Sequence, residues 1–131
     1  VPLRDELEFL EAYLFLLKIR FGENLVVENR INHDSEKFFM APAVLQMLIE
    51  NAIKHNVVSK KNPLHIRLFS ENGWIVVSNT LQEKEVKELS TQVGLRNIMS
   101  RYLFLSHEEV KILKSGEEFT VKIPLLQVEE L

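Results

Sequence analysis

The chain has 131 residues, 46% hydrophobic and 27% charged, the balance of one ordinary globular domain with its own core. Its net charge of -3 leaves no basic field to gather polyanions, which excludes nucleic acid as the main partner. The absence of cysteine removes disulfide frameworks, thiolate zinc sites and cysteine nucleophiles together.

The chain opens on Val1 without a methionine and runs almost at once into a helical pattern, as a piece of something longer would. Arg4, Asp5 and Glu6 stand where a signal peptide would have a basic start followed by an apolar block. Leu3, Leu7, Leu10, Leu14, Leu17 and Phe21 recur at alternating steps of four and three, the spacing that keeps one seam against a partner. Phe9, Phe15, Leu16 and Ile19 widen the apolar surface beyond that seam, so the helix is expected to pack on the domain's own body and is also able to continue a dimerising stalk. The longest apolar run, residues 12–17, is closed by Lys18 and Arg20, far short of the about 20 residues a membrane helix needs.

Residues 22–24 read as a turn and 25–31 as a strand rich in β-branched side chains. The polar connection that follows contains His33, a lone loop histidine with the context of neither a ligand nor a phosphoacceptor. After a helix over 42–56 and a polar loop over 59–63, residues 64–69 alternate apolar and polar, Asn72-Gly73 marks a hairpin turn, and 74–79 form a nearly continuous apolar strand. Residues 80–92 are polar and free of glycine, a candidate flap with a helical turn or two over 83–89. Helical period returns over 94–105, and strand, turn and strand over 110–125 precede a short tail. Helix, strand, helix, two strands, helix, two strands makes an α/β (α+β) two-layer sandwich.

The helix over 42–56 organises the rest. Val44, Leu45, Leu48, Ile49, Ala52 and Ile53 fall on one broad apolar face, while Gln46, Glu50, Asn51, Lys54 and His55 gather on another. Pro42 suits the first helical turn, where its missing N–H costs nothing, and Asn56 offers a stop. Taken alone, the polar stripe reads as a solvated face with Glu50 and Lys54 as an i,i+4 ion pair contributing about 0.2–0.5 kcal/mol.

The run Leu-x-x-Leu-Ile-Glu-Asn-Ala-Ile-Lys-His over residues 45–55 resembles the N-box helix of sensor histidine kinases, in the GHKL (Bergerat-fold) ATPase superfamily, and its ending is most similar to the LytS/YehU branch. Residues 1–13 and Ile19-Arg20-Phe21-Gly22 resemble the segment that follows the dimerisation region in those kinases. The resemblance implies a mixed, mostly antiparallel sheet with helices on one face, and ATP held between the helices and a lid. It implies a linker helix over 1–21, the ATP-binding domain over 22–126 and a tail over 127–131. It further implies Mg²⁺ on Asn51, with Lys54 and His55 near the phosphates as binding and catalytic residues. Glu50 is placed to bind metal-shell water or to orient a neighbour.

Departures from the family pattern carry information. The superfamily's hydrolysing members are similar in having a glutamate one turn before the metal asparagine; here Met47 stands there, and a thioether cannot take a proton from water. The adenine anchor is an aspartate in the family, and here it is Asn79, which keeps an acceptor but not the charge, followed by Thr80 and Leu81 in place of Asn-Gly. Taken alone, Asn79 reads as a turn residue at a strand end. In the second glycine box Gly94, Leu95 and Asn97 match and Gln92 replaces a glycine; a helix starting near Gly94 would offer N–H groups to an anion. Arg101, further along, reads as a phosphate contact or a surface ion-pair residue.

None of His33, His55, His65 or His107 has the context of a phosphoacceptor, so the acceptor histidine is expected in an upstream dimerisation region. The resemblance then implies a homodimeric, membrane-anchored bacterial sensor with this domain on its cytoplasmic side, out of membrane contact, and a response regulator as partner. The alternative is a degenerate nucleotide-sensing or structural module of the same fold, motivated by Asn79, Thr80 and Gln92.

Overall fold

In the computed structural model, which describes residues 1–32, 37–84, 90–106 and 108–127, the sheet grows from one hairpin. Asn72 and Gly73 both take positive φ, 48° and 82°, as a two-residue reversal matched to strand twist requires. They join β3 (Leu64–Glu71) to β4 (Trp74–Thr80) in antiparallel register from Ile66↔Asn79 to Glu71↔Trp74. On its far side β4 pairs antiparallel with β6 (Glu118–Pro124), and β6 with β5 (Lys111–Lys114). β1 (Leu25–Arg30) lies parallel to β3, since the connection between them is a crossover carrying α2 (Val44–His55).

The five-stranded order is β1-β3-β4-β6-β5, with three helices, α1 (Leu3–Phe21), α2 and α3 (Ser90–Ser106), contributing to one core against the sheet. Leu64, Ile66 and Leu68 of β3 meet Ile75 and Val77 of β4 and Val121 and Ile123 of β6 in a continuous buried layer. Such apolar burial, roughly 25 cal/mol per Å², is the main favourable term in folding. This is the mixed, mostly antiparallel sandwich that the sequence implied.

The heptad seam of α1 turns inward, as expected: Leu3, Leu7, Leu10 and Leu17 are buried in this core. Phe9, Phe15, Leu16 and Ile19 stay exposed on the opposite side of the helix. Two very short strands, β2 (Phe38–Phe39) and β7 (Leu126–Gln127), form a separate antiparallel pair. They escaped the sequence reading because two residues are too few to establish a period.

The start of α2 departs from expectation. Pro42 is not in the first turn: the helix begins at Val44, and Ala43 before it sits in left-handed backbone, φ 62°, with no capping side chain of its own. The cap comes from α1. Glu6, 5% exposed, accepts hydrogen bonds from the backbone N–H groups of Ala43 and Leu45, so a carboxylate from another helix meets the free donors and the positive end of α2. Burial raises the Glu6 pKa, and the two N–H groups pull it partly back. Beside it, the hydroxyl of fully buried Tyr102 on α3 accepts from the Ala41 N–H at 2.9 Å.

Two expected outcomes follow for stability. Glu6→Ala removes the acceptor that caps the Ala43 and Leu45 N–H groups and should cost about 1–2 kcal/mol in urea unfolding at neutral pH. The chain's two tyrosines, Tyr13 and Tyr102, both have pKa values pushed up to about 12, by burial first and then by the carboxylates of Glu50 and Glu6 respectively. A folded-state pKa above the ordinary 10.0 gives stability that is fully present below pH 10 and lost as pH climbs toward about 12. Phenolate absorbance should therefore stay low at pH 10 in the folded protein and rise only near 12 or on unfolding. Half-ionisation near pH 10 without unfolding would contradict this environment.

Candidate functional site

The apolar face of α2 fixes which way its polar residues look. Leu45, Ile49 and Ala52 are buried in the core, so the polar crest flanks that packed face and has a cavity on each side.

On one side a cavity of about 190 Å³ opens between α2, the ends of β4 and β6, and α3. Asn51 and His55 line it from α2, Asn79 from β4 and Leu95 from α3, so four of the residues singled out in sequence meet at one place. Leu48, Val77, Leu81, Phe119 and Val121 supply apolar walls. Asn79 is 5% exposed and its Nδ2 donates to the Thr80 carbonyl at 2.8 Å, which leaves Oδ1 as the atom able to meet a ligand. At the rim, Glu83 and Lys114 form an ion pair at 2.7 Å.

The amide nitrogen of Asn51 is buried with no hydrogen-bond partner. An orphaned buried donor costs about 1–3 kcal/mol, and a native chain carries few of them. Among the described residues no set of three acidic or histidine side chains converges on a metal-like site. A cation here would depend on the Asn51 carbonyl oxygen together with oxygens of a ligand and of water, a donor set that fits Mg²⁺.

A short strap closes the cavity beyond the end of α2. Asn56, 2% exposed, donates from Nδ2 to the Ala52 carbonyl at 2.9 Å and accepts the Gln82 N–H at 2.8 Å. The Val57 N–H donates to the Gln82 carbonyl, and the Lys84 N–H to the His55 carbonyl, each at 2.9 Å. Gln82 Nε2 adds bonds to the carbonyls of Val57 and Asn62. Leu81 and Glu83 are thereby brought against His55 as part of the cavity wall.

Glu50 and Lys54 face the other way. They line a second, open cleft of about 540 Å³ between α1 and α2, with Tyr13 and Arg20 of α1 and Lys84 of the strap. The i,i+4 ion pair expected between them does not form. Glu50 accepts the Tyr13 hydroxyl and Gln46 Nε2 instead, the latter at 3.1 Å.

On α3 the outcome is mixed. The helix starts at Ser90, so Gly94 lies inside it rather than at its start, and a Cβ added there would meet nothing within 4 Å. Asn97 is exposed and outside the cavity lining, and Arg101 is exposed too. Residues 85–89 of the candidate flap, His33 and His107 lie outside the described residues, and so does the side chain of Gln92. His65 is exposed on β3.

Tyr13, Arg20, Lys84, Lys114 and Phe119 were not singled out from sequence. The one signal available was the match of Ile19-Arg20-Phe21-Gly22 to the family segment.

No family model matches the chain. Sensor protein LytS of Bacillus cereus is 30% identical over an alignment covering 95% of this chain and 25% of its own length, so the chain spans a quarter of that relative. Among solved structures, the cytoplasmic segment of histidine kinase QseC matches with a TM-score of 0.65 at 16% identity, over 98% of this chain and 77% of that one. The catalytic domain of histidine kinase ThkA matches with a TM-score of 0.57 at 16% identity, over 95% of this chain and 94% of that one. This chain is a relative of the LytS sensor proteins and carries the fold of a histidine kinase catalytic domain.

Proposed function

We propose that the chain is the ATP-binding catalytic domain of a two-component sensor histidine kinase, transferring the γ-phosphoryl group to a histidine in an upstream dimerisation region. The observation that carries this reading is the meeting of Asn51, His55, Asn79 and Leu95 at one apolar cavity, with the Asn51 amide buried and unpaired. The walls suit a flat aromatic base, and Asn79 Oδ1 is able to accept from its exocyclic amine.

Asn51 would hold Mg²⁺ through its side-chain oxygen, with the phosphates beside His55 and Lys54. Bound Mg²⁺ supplies charge neutralisation for the phosphate oxygens. Met47, half-exposed on the same crest, offers no base for water, so the site holds the triphosphate for another nucleophile. In the transfer, the bond from the γ-phosphorus to the bridging oxygen breaks and a bond to the imidazole nitrogen forms, with ADP leaving. Glu50, held by Tyr13 and Gln46 in the neighbouring cleft, would be the carboxylate that takes the imidazole proton. Gly94 and Asn97 would act together with the lid.

In the longer protein, a homodimer, a cytoplasmic position below a membrane anchor and a response-regulator partner complete the reading. No helix of the described residues is long and apolar enough to cross a membrane. A second reading, a nucleotide-sensing module without transfer, draws on Asn79 and Thr80 standing where the family has aspartate and a following asparagine.

Calorimetric titration with a non-hydrolysable ATP analogue should give saturable binding strengthened by Mg²⁺. Asn51→Ala should lose the Mg²⁺-dependent part while keeping its circular dichroism spectrum and unfolding midpoint. Equal affinity in the variant and the wild type would remove Asn51 from the metal site.

A further inference from the structure

The cleft between α1 and α2 carries charge that the nucleotide reading leaves unused. Arg20, Lys54 and Lys84 all line it, with Glu50 as its carboxylate. Three cations against one anion leave the cleft with an excess of two positive charges. The Glu50 carboxylate is engaged by Tyr13 and Gln46. Among the described residues, the ion pairs involve Arg30, Arg67, Lys114 and Lys122, and none involves a cation of this cleft. Like charges gathered along one open cleft repel one another, and a multiply charged anion relieves that repulsion.

The cleft also lies where such an anion would arrive. Lys54 follows Asn51 by three positions on α2, which puts the two side chains on neighbouring parts of the helix surface, one lining the cleft and the other the cavity. An anionic chain held at Asn51 therefore passes Lys54 and ends in the cleft. Arg20 is steadied by its guanidinium over the Phe21 ring, 4.8 Å from the centroid. The Lys84 backbone is tied to the His55 carbonyl at 2.9 Å. The planar fork of a guanidinium matches phosphate oxygens in pairs.

We infer that Arg20 and Lys84, with Lys54, form a wall that receives the terminal phosphate of the bound nucleoside triphosphate, so that the cleft distinguishes triphosphate from diphosphate. This rests on the nucleotide reading of the adjoining cavity. Arg20 and Lys84 are binding residues from outside the N-box helix, one on the first helix and one on the strap.

The test is calorimetry of wild type, Arg20→Ala and Lys84→Ala with a non-hydrolysable ATP analogue and with ADP, both in the presence of Mg²⁺. Each variant should bind the analogue about tenfold more weakly, the loss of one charge-assisted contact, and ADP within about twofold of wild type. An unchanged ratio of analogue to ADP affinity in both variants overturns the inference and leaves the nucleotide site standing. A wild type that binds neither ligand overturns the nucleotide reading and this inference together. Thermal unfolding of each variant is measured alongside. If Arg20→Ala is unfolded, the ratio in Lys84→Ala alone decides, because that exposed side chain has no packing role.

Discussion

The seating of α2 on the sheet is the constraint on which the rest depends. With Leu45, Ile49 and Ala52 buried, the helix has no freedom to roll, and each remaining position of its crest is assigned a direction. Asn51 and His55 meet the cavity under β4 and β6; Glu50 and Lys54 meet the cleft under α1. Both ends of the helix are held by residues that are polar and buried. Glu6 reaches from α1 to cap the first turn, and Asn56 ties the last turn to the strap at Gln82. A functional surface on a single helix is placed by apolar packing and secured by a few satisfied polar groups at its ends.

Much of this was legible in the sequence, for reasons that lie in local chemistry. Alternation in β3, the Asn72-Gly73 reversal and the apolar stripe of α2 are short-range patterns, and each specifies its element without help from elsewhere. The convergence of Asn51, His55, Asn79 and Leu95 followed from matching motifs rather than from periodicity, since nothing local to Asn79 says that it faces α2. What stayed illegible depends on distance along the chain. Glu6 is one of two acids in the first turn of α1, yet it caps a helix that begins 38 residues later, at Val44. The left-handed backbone of Ala43 has no signature in an alanine. Gln46 and Tyr13 take up the Glu50 carboxylate in place of Lys54, an outcome set by the packing of α1 on α2.

The first helix has a larger part than a linker would. Its buried leucines complete the core, its Glu6 caps α2, and Tyr13 and Arg20 line the cleft into which Glu50 and Lys54 project. Any change in how α1 packs is therefore felt along the crest of α2. In the proposed function Met47 leaves a bound triphosphate without a base to activate water, and residues 82–84 after β4 wall the cavity beside His55 through backbone bonds.

The most direct measurement for the nucleotide cavity is a heteronuclear NMR titration of the chain with a non-hydrolysable ATP analogue and Mg²⁺, followed at the asparagine side-chain amides. Asn51 Nδ2 has no partner in the free protein, so its resonances should move most among the side-chain amides. Backbone shifts at His55, Asn79 and Leu95 should move with them at the same midpoint. Saturating shifts confined to the exposed face of the sheet, with the Asn51 amide unmoved, would contradict the placement of nucleotide in this cavity.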